Sequence, residues 1–351
     1  MDSLTQACLG AAVGGALLGR RLGRRAVLIG AALGTLPDLD VVIDYGDAVA
    51  DYTYHRGFSH SLAVLGALAT LLALVTARFA PRDIPFSRWW LFYAACLLTH
   101  PLLDAFTTYG TQLWWPLPTP PVSWSTIFII DPLYTLPLLG AVIVALIRGR
   151  RAPRALHWGL ALSSAYLAFS LGAKTLIEAR IEPLLAERGL ADAPCLIQPT
   201  PFNTLLWRVT VIDGNAHYET LVGLLDDRPP RLVRFARGAE LEDAALDTAS
   251  GRRLAWFADP FLRYRTRSVD GVRWLVATDL RLGFPGYYPF NFRLARDDGP
   301  GGWEAVPSRL IAGNQPDRES LLRLLERALF GEGDLALGEQ IRQRPAAGAG
   351  R

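Results

Sequence analysis

Six apolar runs separated by polar or arginine-rich joints fill the first half of this chain, and they restrict its fold more than any other feature. They cover residues 4–19, 26–43, 60–79, 89–106, 127–147 and 156–177. A helix crosses the hydrocarbon core of a bilayer with about 20 apolar residues. The expected fold for residues 1–177 is therefore a polytopic membrane helical bundle of about six spans. The first two runs are short and rich in glycine, with Gly10, Gly14, Gly15 and Gly19 in one and Gly30 and Gly34 in the other. Small residues four apart let helix backbones approach closely, which predicts a tight hairpin around the arginine-rich turn at residues 20–25.

Past Ile177 the texture changes to polar turns and alternating strands. The stretch "LLWRVTVIDGNAHYETLVGLL" reads as a hairpin turning at Asp213, Gly214 and Asn215, and residues 273–283 and 289–296 read as two more strands. Residues 241–248 and 317–329 have helical texture. These features predict a small α+β or mostly β domain over residues 178–335, followed by a disordered tail at 336–351.

Arginine clusters at residues 20–25, 78–88 and 148–154 separate runs one and two, three and four, and five and six. By the positive-inside rule these joints are cytoplasmic. The alternation then predicts an inner-membrane protein whose other loops and C-terminal domain lie on the periplasmic side. A net charge of +3 over 351 residues, with the arginines in short clusters, excludes a nucleic-acid partner. Three cysteines, Cys8, Cys96 and Cys195, form no spaced framework for disulfides or a thiolate metal cluster.

The polar residues in and beside the runs gather at one predicted membrane face. Asp38, Asp40 and Asp44 leave the second run, His55 and Arg56 follow in the loop, His60 opens the third, His100 and Asp104 close the fourth, and Asp131 opens the fifth. Three of the chain's five histidines belong to this set. His100 and Asp104 are four apart, so a helix presents them from one side. His55 and His60 flank a Gly57 turn, while Asp38 and Asp40 approach one ion only in a turn or extended segment begun by Pro37. Imidazole with carboxylate and no thiolate suits one or two divalent ions, zinc first and manganese second. Asp44, Asp47 and Asp51 are expected to be solvated loop charges, and His157 and His217 structural or surface residues. Trp114, Trp115 and Trp124 suit an interfacial aromatic belt or the wall of a lipid-sized groove.

The ordered set "MDSLTQACLGAAVGGA", "PDLD", "HRGFSHS", "HPLLDAFTTYGTQLWWP" and "DPLY" resembles the YdjM family of inner-membrane proteins, regarded as metal-dependent hydrolases. The likeness covers about the first half of the chain. It implies metal-ligand positions at His55, His60, His100 and Asp104, with Asp38 and Asp40 as the family's acidic pair. Many members carry a histidine where this chain has Gln6, so that position coordinates weakly or holds a water. A more distant likeness joins the histidine and aspartate elements to zinc-dependent phospholipases C and zinc nucleases.

These readings together predict a membrane-bound hydrolase that cleaves a phosphoester of a lipid or lipid-linked substrate with metal-activated water. Asp40 or Asp38 bridges ions or acts as base, His60 is needed for turnover, and Arg56 grips phosphate with its planar fork. The alternative is a non-enzymatic membrane protein with a structural or sensing metal site and an outer domain that binds an envelope partner. A transporter is disfavoured, because the runs hold no ionisable residue at mid-membrane and no inverted repeat.

Overall fold

The computed structural model describes residues 1–79, 83–227, 229–299, 302–313 and 318–331. The expected tail at 336–351 lies outside the described residues. The chain divides into two compact units, residues 1–44, 54–172 and 201–203 in one and residues 45–53, 173–200 and 204–351 in the other.

The first unit is helical. Helix α1 (Ser3–Leu22) opens on Asp2, whose side chain caps it by accepting from the Thr5 N–H. It ends at Gly23, which alone separates it from α2 (Arg24–Thr35). The predicted hairpin is there, and its backbones nearly touch. A Cβ on Gly10 would lie 2.2 Å from the Gly30 carbonyl oxygen, and one on Gly14 2.7 Å from that of Ala26. With 12 residues, α2 is about 18 Å long and too short to cross a bilayer core by itself.

Among the described residues three helices are long and apolar enough to span a membrane: α4 (Leu62–Phe79), α6 (Pro132–Arg148) with the 3₁₀ turn that follows it to Arg151, and α7 (Pro153–Glu187). Each turns large apolar side chains outward. Examples are Leu71 and Leu74 on α4, Leu136 and Ile143 on α6, and Leu162 and Phe169 on α7. An exposed apolar surface of this kind is what lipid, and not water, accommodates. Helix α5 (Phe86–Asp104) buries Trp89, Phe92, Cys96 and Leu97 with Leu18, Leu33 and Leu65, and leaves Phe86, Trp90, Leu91 and Leu102 exposed. Between α2 and α4 lie a 3₁₀ helix at Pro37–Val42, α3 (Ala48–Tyr54) and a short 3₁₀ turn at Phe58–His60.

The second unit contains two four-stranded antiparallel sheets, β1 (Cys195–Pro199) to β4 (Val233–Ala236) in sequence order and β5 (Leu262–Val269) to β8 (Trp303–Ile311) likewise. The predicted hairpin is β2 (Leu206–Asp213) with β3 (Ala216–Gly223). The other predicted strands are β6 (Val272–Asp279) and β7 (Asn291–Asp297). Strands β1 and β8 lack strict apolar alternation and are visible only through pairing, while β4 and β5 do alternate and were not singled out from sequence. One face of the first sheet buries Trp207, Val209, Val211 and Val222 against Ala173, Ile177, Ile181 and Leu185, a stripe at four-residue spacing on α7. Three more helices complete the unit, α8 (Glu242–Leu246), α9 (Ala249–Ala258) and α10 (Arg318–Phe330).

Residues 45–53 belong to this second unit. The Tyr52 ring packs on Phe257, Phe290 and Phe292, and its hydroxyl donates to Asp279 at 2.9 Å. Asp47, expected to be a solvated charge, accepts from the hydroxyls of Ser308 and Ser250 and from the Ala50 N–H. Burial opposes ionisation of Asp47, but these donors outweigh it and lower the carboxyl's pKa.

Candidate metal centre

Four ligand atoms from three separate segments converge in the first unit. Asp38, His60, His100 and Asp104 each offer one, and all four atoms lie within 4.8 Å of one another. The Nε2 atoms of His60 and His100 are 3.0 Å apart. Asp104 Oδ2 is 3.1 Å from His60 Nε2 and 3.4 Å from His100 Nε2, while Asp38 Oδ1 is 3.5 and 3.3 Å from the same two atoms. A tetrahedral zinc ion with ligands at 2.0–2.1 Å has edges of about 3.3 Å. The five distances scatter around that value.

The imidazole tautomers follow from their outer partners. His100 Nδ1 is 2.5 Å from the Gly34 carbonyl oxygen, which only accepts, so Nδ1 carries the proton. Ser59 Oγ donates to Asp40 Oδ2 at 2.6 Å and therefore accepts from His60 Nδ1 at 2.9 Å. Both rings thus carry a proton on Nδ1 and turn Nε2, the nitrogen left for a ligand, toward each other beside two carboxylates. A shared proton would serve one pair of these atoms. An ion of zinc size serves all four, and the outer hydrogen bonds are those that fix ligating histidines.

Asp40 and His55 stand outside this group of four. Asp40 accepts from His55 Nδ1 at 2.8 Å, from the Arg56 N–H at 3.0 Å and from Ser59. The 3₁₀ form of Pro37–Val42 explains the division. Residues two apart on such a helix point about 120° away from each other, so Asp38 faces the histidines while Asp40 faces the "HRGFS" turn. Arg56 is buried, with a left-handed backbone (φ 60°) held by its bond to Asp40. Its Nε lies 3.3 Å from Asp104 Oδ2, out of line for a hydrogen bond, and its guanidinium sits over the Tyr109 ring at 4.9 Å.

Gln6 donates to Asp104 Oδ1 at 3.0 Å and to the His100 carbonyl at 3.2 Å, while its own Oε1 is buried without a partner. The Met1 amino group is ion-paired with the same Asp104 oxygen. Asp131 is remote in role: it caps α6, accepting from the Leu133 and Tyr134 N–H groups and the Tyr166 hydroxyl. Ser59, Tyr109 and the Gly34 carbonyl were not singled out from sequence. Ser59 lies within "HRGFSHS", but a main-chain carbonyl leaves no signal in side-chain spacing. Of the four side chains, only Asp38 is accessible, at 18%, while the other three are at 0%.

A family model for YdjM inner membrane proteins matches residues 1–177, the stretch that carries all four ligand atoms. The chain belongs to the YdjM inner membrane protein family. YfhP of Bacillus subtilis, an uncharacterised protein, is 26% identical over 307 residues, covering 83% of this chain and 89% of that one. Inner membrane protein YbcI of Escherichia coli is 34% identical over 112 residues, 32% of this chain and 61% of its own. No solved structure matches. The family and the apolar helices make this YdjM-family chain a membrane protein, and its buried Asp/His group is able to hold a metal ion.

Proposed function

We propose that this protein is a metal-dependent hydrolase of the bacterial inner membrane that cleaves a phosphoester of a lipid or lipid-linked substrate. One observation carries the reading: two imidazole Nε2 atoms at 3.0 Å, with an oxygen of Asp38 and one of Asp104 in the same group of four atoms within 4.8 Å. A divalent ion there, zinc or manganese, supplies Lewis acidity that acidifies water and neutralises phosphoryl charge. His60, His100 and Asp104 hold the ion from the buried side, and accessible Asp38 marks the side from which water and substrate arrive. Arg56 balances the Asp104 carboxylate and has the planar fork for a phosphate oxygen. Asp40 orients His55, Arg56 and Ser59 together and so presents the rim of the site.

A lipid substrate is supported by the loop after α5. Trp114, Trp115, Leu117 and Trp124 are exposed there, and the loop is tied to the site segment by the Gln112 N–H to the Arg56 carbonyl and by Ser61 Oγ to the Trp115 carbonyl. Exposed tryptophans suit the headgroup level of a bilayer. In this reading α1, α2 and α5 cross or enter the membrane beside the three long spans, and the site and C-terminal domain face the periplasm.

A second reading draws on the same geometry. Four protein atoms are as many as a structural site uses, and the protein would then be a non-enzymatic scaffold with an envelope partner. Elemental analysis of the detergent-purified protein beside His100→Ala separates these outcomes from a metal-free one. Near-stoichiometric zinc or manganese lost in the variant, with turnover of a phosphoester lipid abolished by His60→Ala, supports the hydrolase. Metal without turnover of any phospholipid or polyprenyl phosphate supports the scaffold, and absence of metal after reloading refutes both.

A further inference from the structure

The second sheet carries buried donors that nothing above uses. Its register places Arg263, Thr278 and Asn291 in one row, Arg265, Val276 and Arg293 in the next, and Arg267, Trp274 and Arg296 in a third. Alternate residues of a strand share a face, so five arginines rise from one side of the sheet around Trp274. Two are engaged elsewhere: Arg296 pairs with Glu304, and Arg293 lies over the Trp274 ring at 4.5 Å. Arg263 and Arg265 form no ion pair among the described residues, and the Nε of each, with Nε1 of Trp274, is buried without a hydrogen-bond partner.

The row nearest the first sheet ends on a fourth orphan. Arg263 lies over the Tyr288 ring at 5.3 Å, and the Tyr288 hydroxyl donates to Glu219 at 3.1 Å. His217 lies two residues before Glu219 on β3 and so on the same sheet face. Its ring is fully buried, stacked on Phe235 at 5.2 Å, and neither ring nitrogen has a partner. Arg208 does not meet this need or create it, because it is bonded to Glu219 through both Nε and Nη2. Burial, together with the charges of Arg263, Arg208 and Arg237, holds the imidazole neutral with a pKa lowered to about 3.

Buried donors left unpaired are costly, and four of them, two belonging to guanidinium groups without an ion pair, define what is missing. We propose that this face of the C-terminal domain binds a phosphate group, held by Arg263, Arg265 and Trp274 with His217 at the closed end. A phosphate monoester carries nearly two negative charges at neutral pH, equal to the charge of Arg263 and Arg265, of which Arg265 also donates through Nη2 to Asn291 Oδ1 at 3.2 Å. It also has enough oxygens to accept from donors on several sides. Residues two apart on a strand are about 6.8 Å apart, within reach of two long side chains closing on one group. Half-buried Arg265 and Trp274 and exposed Arg267 leave the site open to an arriving ligand. The site is separate from the metal centre and stands whether or not the hydrolase reading does.

The full chain, purified in an uncharged detergent, stripped of metal and kept free of phosphate, is titrated calorimetrically with inorganic phosphate. The wild type binds, Arg265→Gln binds about tenfold or more weakly, and Trp274→Phe, which retains the ring and loses the donor, binds several-fold more weakly. A lipid arm uses the chain in phosphatidylcholine nanodiscs co-sedimented with vesicles containing phosphatidic acid, whose headgroup is a phosphate monoester. Vesicle binding displaced by phosphate assigns a headgroup, and phosphate binding without vesicle binding assigns a soluble phosphate. Binding of neither probe to the wild type overturns the proposal, as does equal affinity in both variants while their far-ultraviolet circular dichroism matches the wild type.

Discussion

Replacing Gly34 with alanine tests how helix packing and the metal centre depend on each other. The new methyl carbon would lie 2.5 Å from the Gln6 carbonyl oxygen and 3.0 Å from the Gly10 Cα, where ordinary contacts begin at 3.4 Å. The obstacle is backbone, so α1 and α2 must separate by about 0.9 Å, the difference between 3.4 and 2.5 Å. Overpacking of this kind costs about 1–3 kcal/mol. The same residue supplies the carbonyl that orients His100 through Nδ1 at 2.5 Å. Loss of an outer hydrogen bond of this type weakens metal binding about tenfold to a hundredfold. The assay is a zinc competition against a chromophoric chelator in detergent, with a thermal melt on the same samples. Gly66→Ala, on α4 with nothing within 4 Å of its added carbon, is the control and should match or exceed wild-type stability. Zinc affinity of Gly34→Ala within about twofold of wild type, with an unchanged melt, would refute the packing argument and the orienting role of the carbonyl.

Three further outcomes follow from the same reasoning. His217 is neutral in the folded protein down to about pH 3, while the unfolded chain protonates it near 6.5, so its contribution is intact above 6.5 and is lost as pH falls toward 3. Urea unfolding should show wild type losing up to about 1.4 kcal/mol per pH unit relative to His217→Phe in that window, and parallel pH curves would contradict it. Arg208→Met leaves Glu219 buried and uncompensated and should destabilise the domain by about 3–5 kcal/mol, largely recovered by adding Glu219→Gln; a variant as stable as wild type would show the pair to be dispensable. A chelator should lower the melting temperature of the wild type but not of His60→Ala, since binding to the folded state alone stabilises by mass action. An equal shift in both would place the metal elsewhere.

The sequence by itself determined the helical membrane half, the change of texture near Ile177 and most of the polar cluster, because each rests on short-range periodicity. Runs of about 20 apolar residues need lipid or a core, glycines four apart need a close helix, and His100 and Asp104 share a face whatever surrounds them. The division between Asp38 and Asp40 was not legible. Residues two apart serve one ion or two environments depending on backbone form, and Pro37–Val42 takes the 3₁₀ form that separates them. Tertiary structure alone brought the Gly34 carbonyl to His100, Ser59 to Asp40 and Asp47 to Ser250 and Ser308, because these contacts join segments distant in the chain. It also decided how many helices are self-evidently membrane-spanning. Among the described residues three qualify by their own length and composition. Helix α2 ends as Pro37 opens a turn, and α5 divides its apolar side chains between its neighbours and the exposed surface, so where these lie relative to lipid depends on packing that no run length encodes.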